Sequence, residues 1–111
     1  MVNQNNKDIE VTKGEFEELI NNGHKLVVVD FFADWCMPCL MLAPIIDELS
    51  ESMKEVKFAK INVDDNREIA AKFKVQSIPC LIIFKEGKEV DRIIGSQTAE
   101  AIEEKLKKYL D

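Results

Sequence analysis

Cysteine is scarce in this chain, with three residues in 111. That is too few, and too unevenly spaced, for a disulfide scaffold. An excess of basic charge is missing too. Fifteen Lys and Arg stand against 21 Asp and Glu, a net charge of −6 with the lysines spread among glutamates. Nucleic-acid binding by charge neutralisation is therefore not expected. No apolar run is much longer than a strand, far short of the roughly 20 residues that a membrane-spanning helix needs. The opening MVNQNNKDIE is polar and has no apolar signal core. A soluble cytoplasmic protein with no membrane partner is the expectation. Four glycines and three prolines leave no low-complexity linker, and no repeat is present. What remains is 46% apolar and 32% charged, the balance of one compact domain. We place a polar tail at 1–8 and a single domain at 9–111.

The elements can be read in order, opening on a short strand. In VTKGEF, Thr12 has the character of a helix cap, Glu15 sits at the reciprocal capping-box position, and Val11 with Phe16 forms the staple. That helix should run to about Asn22 and stop at Gly23. The valine-rich run KLVVVDFF, Lys25 to Phe32, has the pattern of a strand buried on both faces. A helix from about Cys36 to Met53 follows, with Leu42, Ile45, Ile46 and Leu49 at helical spacing and Pro44 as a kink. VKFAKINV is a second strand, and NREIAAKF a short helix capped from Asp64 or Asp65. CLIIFK and EVDRIIG flank the turn EGK as an antiparallel hairpin. TAEAIEEKLKKYL is a final amphipathic helix with Thr98 as its cap. Helices between the early strands imply parallel crossovers, and the hairpin makes the sheet mixed. The fold class is α/β, a central mixed β-sheet of about five strands with helices on both faces.

The chemistry gathers in DFFADWCMPCLMLAP, Asp30 to Pro44. In a reducing compartment a close cysteine pair is catalytic or metal-binding more often than structural. The strand carrying Asp30 ends just before Cys36, where a helix begins. Unpaired amides and the helix dipole at that point favour an anion, lowering the thiol pKa and making Cys36 a nucleophile. Cys39, one turn later, is within reach of a sulfur bonded to Cys36, so the pair can exchange with a disulfide through a mixed intermediate. Asp30 is a carboxylate in an apolar strand. Desolvation should raise its pKa and suit it to proton transfer near neutral pH, although a structural ion pair would also explain its presence. The rival chemistry is zinc, with the three cysteines and His24 as four ligands. Against it, His24 lies at a helix–strand junction and no second C-x-x-C exists.

The segment VDFFADWCMPCLMLAPIIDEL resembles the active-site segment of the thioredoxin family. VKFAKINVDDN, SIPCLIIFKEGK and IIGS continue the resemblance in family order over nearly the whole chain. It implies the thioredoxin fold, with Cys36 as attacking nucleophile and Cys39 as resolving thiol. By the same resemblance Asp30 moves a proton to or from Cys39, and Lys60 is its charged neighbour on the next strand. Trp35 would cover the disulfide, and Pro79 would be cis, with Ile78 offering its backbone to an extended substrate. Gly95 would leave room for that substrate, and Met37 and Pro38 complete the binding set. The partners implied are disulfide-containing protein substrates and a thioredoxin reductase as electron donor, with the chain a monomer and no cofactor or metal.

Three positions depart from the family pattern. Met37 replaces a glycine, Leu40 a lysine or arginine, and Phe32 a second tryptophan. The expected activity is general protein-disulfide reduction, with isomerase or oxidase chemistry as the alternative. Pro38 stands where a histidine would favour an oxidising poise, so a potential near that of thioredoxin itself, about −270 mV, is expected. Cys80 opens a buried strand run and should point away from the active pair if Pro79 faces it. With no cation or helix N-terminus in the neighbouring sequence, it is expected to be an inert thiol.

Overall fold

The computed structural model describes residues 9–10, 13–21 and 23–110. The tail at 1–8, the Thr12 cap, the Val11 half of the staple and Asn22 lie outside the described residues. The elements run β1 (Ile9–Glu10), α1 (Lys13–Ile20), β2 (Leu26–Phe32), α2 (Met37–Ser52), β3 (Val56–Asn62), α3 (Arg67–Lys72), β4 (Cys80–Lys85), β5 (Lys88–Ile94) and α4 (Ala99–Lys107). This is the order expected from the sequence. Four longer strands and the two-residue β1 form one mixed sheet, ordered β1-β3-β2-β4-β5.

Period-two alternation on β2 divides the core. Leu26 and Val28 face one way, with Phe58, Leu81, Ile83 and Ile93, under Leu42, Ile46 and Leu49 of α2 and Ile102 and Leu106 of α4. Val27, Val29 and Phe31 face the other way, with Ile61, Ile82 and Phe84, under Phe16 of α1 and Ile69 of α3. On this second side Phe16, Phe73 and Phe84 pack edge-on, their ring centroids 5.4–5.6 Å apart. Both faces of β2 are covered, which explains its nearly unbroken apolar run.

Two expectations about local structure are corrected. The mixing of the sheet begins where β4 pairs with β2, not only at the β4–β5 turn. β3 is parallel to β2, but β4 is antiparallel to it, with Phe31 opposite Cys80. The six residues of α3 rise about 9 Å. That is too little to return the chain along a strand of roughly 20 Å. Residues 73–79 therefore re-enter at the end where β2 and β3 finish, and that re-entry delivers Ile78 and Pro79 to the site. The second correction is the cap of α3, which is Asn66 with no side-chain cap bond. Asp64, whose carboxylate accepts from Trp35 Nε1, and Asp65 both lie before that position.

Thr98 caps α4 by accepting from Ala101 N at 3.1 Å. Pro44 lies inside α2. The β4–β5 turn passes through Gly87 at φ +80°, where a Cβ would collide with the Asn21 side chain.

Candidate active site

β2 ends at Phe32 and α2 starts at Met37, so residues 33–36 make the crossing. Ala33 is buried and holds the loop by accepting from Cys36 N at 3.2 Å. Cys36 is the N-cap of α2, in an extended conformation. Its Sγ accepts from Cys39 N at 3.2 Å, in the role usually given to a serine or aspartate oxygen. The amide that caps the helix is thus aimed at the sulfur on which charge would develop in the reduced form. Pro38 lies in the first turn, where its missing N–H leaves no intrahelical bond unmade. Cys36 and Cys39 are joined as a disulfide, their Cα atoms 5.2 Å apart. Both residues are 4% exposed, so exposure does not rank them; helix position does.

Asp30 is buried at 5% exposure, on the same face of β2 as Leu26 and Val28. α2 covers that face, with Cys39 buried in its first turn. Lys60 is the register partner of Asp30 on β3, and its Nζ lies 5.4 Å from the centroid of the Phe32 ring. A cation over an aromatic face is favourable, which gives Phe32 a role at this departure from the family pattern.

The second wall comes from the start of β4. The Ile78–Pro79 bond is cis. Ile78 is packed against Cys36 and Cys39, and its carbonyl oxygen lies 3.8 Å from Cys36 Sγ. Gly95 N donates to Pro79 O at 2.9 Å, tying the end of β5 to this segment. Gly95 has φ +89° and a Cβ there would meet open space. Trp35 is 70% exposed and Met37 is 64% exposed, with Leu40 and Met41 following on the same outward face of α2. The structure therefore gathers Trp35, Cys36, Met37, Pro38, Cys39, Ile78 and Pro79 at one end of the sheet, and Asp30 and Lys60 lie opposite each other on β2 and β3, two residues before those strands finish there.

The comparisons with known proteins bear on this arrangement. The thioredoxin family model matches residues 7–108. The chain belongs to the thioredoxin family. A thioredoxin from Staphylococcus haemolyticus is 46% identical over 103 residues, covering 92% of this chain and 97% of its own. One from Pyropia yezoensis is 42% identical over 102 residues, covering 91% and 95%. Among solved structures, a mutant thioredoxin from Halobacterium salinarum superposes with a TM-score of 0.88 at 31% identity, over 95% of this chain and 93% of its own. The Plasmodium falciparum thioredoxin gives 0.84 at 35% identity, over 91% and 98%. As a thioredoxin-family member with a redox-capable C-x-x-C pair, the chain is a thiol–disulfide oxidoreductase.

The geometry does not assemble the zinc alternative. Cys80 is packed on the α1/α3 face of the sheet, in a different cluster from the active pair. Among the described residues no group of three or more His, Cys, Asp or Glu could hold a metal ion. Nor is any described helix long and apolar enough to cross a membrane.

Sequence reasoning missed two neighbours of thioredoxin-family positions. The first is Asp64, which accepts from Trp35 Nε1 at 2.8 Å. Its one sequence signal was an Asx-type pattern at the strand end, in NVDDN. The second is Arg92, which supplies the cation that Cys80 was expected to lack. Arg92 forks onto Glu89 at 2.7 and 2.9 Å and donates to Phe73 O at 2.9 Å. Burial still decides the outcome, raising the Cys80 pKa against the opposing pull of Arg92.

Proposed function

We propose that this chain is a general protein-disulfide reductase in which Cys36 attacks and Cys39 resolves. The observation that carries the reading is Cys36 Sγ at the N-cap of α2, accepting from Cys39 N. In the reduced protein the Cys36 thiolate attacks one sulfur of a substrate disulfide. A Cys36–substrate disulfide forms and the other substrate sulfur leaves as a thiolate. Cys39 then loses its proton and attacks the Cys36 sulfur. The second substrate thiol is released and the Cys36–Cys39 disulfide closes. Two electrons have passed to the substrate, and an external dithiol donor must return them.

Asp30 is the group proposed to take the Cys39 proton and give it back on reduction. Burial disfavours its charged form, which raises its readiness to hold a proton near neutrality. Lys60, its register partner, tunes that acid. Trp35, Met37 and Pro38 form one bank of the substrate surface, and Ile78, Pro79 and Gly95 the other. Disulfide-bearing proteins are the substrates in this reading, a thioredoxin reductase is the donor, and the chain works as a monomer in the cytoplasm.

Insulin reduction, run with candidate donor systems, tests the reading. Rapid precipitation of insulin chains, supported by a thioredoxin reductase, is expected. Faster oxidation of reduced proteins than reduction of oxidised ones would favour the oxidase alternative.

A further inference from the structure

We propose that Arg92 is a positioning residue for the substrate wall, clamping the exit of α3 so that Ile78 is held beside Cys36. The inference rests on the reading of Ile78 and Pro79 as substrate surface and adds to it the group that fixes them.

Residues 73–79 lie between α3 and β4 and belong to no helix or strand. The segment leaves α3 through a tight turn. Lys74 N donates to Ala71 O at 3.0 Å and Val75 N to Ala70 O at 2.9 Å. That pair of bonds closes a helix whose first residue past the cap is usually glycine. Here the place is taken by Lys74, at φ +56°. A residue with a Cβ is strained in this left-handed region, so the turn gains from support outside it. Arg92 supplies that support from β5. Its Nη2 donates to Phe73 O, the carbonyl immediately before Lys74, at 2.9 Å. The guanidinium is itself fixed, because Nε and Nη2 donate to the two carboxylate oxygens of Glu89 at 2.7 and 2.9 Å. Such a two-point fork gives the planar group one orientation. Three residues further on, Gly95 N donates to Pro79 O at 2.9 Å. β5 and the residue after it therefore hold the segment at both ends. Ile78, whose carbonyl oxygen lies 3.8 Å from Cys36 Sγ, sits between the two ties. A segment fixed before an extended substrate docks loses less freedom on binding, so the effect falls on binding more than on the chemical step.

Backbone relaxation by NMR and insulin kinetics test the clamp together. Arg92→Met keeps the aliphatic stem and removes every donor. In this variant the order parameters of the Val75, Gln76, Ser77 and Ile78 amides should fall from the rigid value of about 0.85 towards about 0.6. The Val28 amide, in the central strand β2, should stay rigid. The KM for insulin should rise by roughly 3- to 10-fold, the range for loss of one hydrogen bond, with a smaller change in kcat. Arg92→Lys keeps the charge but not the fork, so both readouts should fall between wild type and Arg92→Met; it carries the same comparison if Arg92→Met does not fold. Adding Lys74→Gly to the Arg92 variant relieves the left-handed position and should return both readouts towards wild type. Unchanged order parameters at 75–78, an equal fall at Val28, or an unchanged KM would overturn the assignment, as would a double variant no better than the single one. An inactive wild type would instead sink the reductase reading and the docking role of Ile78 with it. The relaxation comparison needs no substrate and would still decide whether Arg92 holds the segment.

Discussion

At the scale of single residues the proposed chemistry rests on Asp30 and Cys36, and in both cases on what surrounds them. A carboxylate on an apolar strand face favours its neutral form, because burial penalises charge. Asp30→Asn removes the buried ionisable group while keeping the side chain's size. We expect the variant to be more stable by about 1–3 kcal/mol in denaturant unfolding at pH 7. We also expect slower release of substrate from the mixed disulfide, measured by single-turnover kinetics. Unchanged turnover across neutral pH would leave Asp30 with a structural part only. The burial of Asp30 and the N-cap placement of Cys36 were legible in the sequence because a strand rich in valine followed by a helix start fixes their surroundings. Asp64 was not legible, since nothing local distinguishes an aspartate that caps the next helix from one that reaches across to Trp35.

The elements meet the same limit. α4 was readable from Thr98 and its apolar spacing, yet what fastens its far end was not. Tyr109 Oη donates to Asp91 Oδ2 at 2.7 Å, and Lys105 Nζ approaches the same oxygen at 3.5 Å. The Tyr109 hydrogen bond holds the Asp91 carboxyl below its ordinary value of 3.8, helped by Arg92 N and Lys105. A depressed carboxyl stabilises the fold above the unfolded value and loses that contribution as pH falls through the folded one. The clamp between β5 and α4 should therefore be intact at neutral pH and weaken below about pH 4. Asp91→Ala should lower stability at pH 7 by about 1 kcal/mol, or about 4–8 °C in Tm. The deficit should shrink in acid; a deficit constant from pH 7 to pH 3 would rule the clamp out. The direction of β4 belongs with these unreadable features. Element order shows a helix between two strands, but only the shortness of α3 sends the chain back to the end it left.

In the molecule as a whole, one sheet keeps two cysteine environments apart. The active pair lies at the end of the sheet between α2 and the cis-Pro segment, while Cys80 is buried under α1 and α3 at 1% exposure. Burial raises its pKa, so the oxidised protein should carry one free thiol that resists alkylation until the chain unfolds. Mass spectrometry after alkylating native and denatured samples reads this directly, and rapid native labelling of Cys80 would show that the core opens. The central claim, that Cys36 attacks and Cys39 resolves, is tested most directly by trapping. Cys39→Ser should accumulate a covalent complex with a disulfide-bearing substrate, linked through Cys36 and released by reductant, whereas Cys36→Ser should trap nothing and reduce nothing. A complex linked through Cys39 in the Cys36→Ser protein would contradict the account.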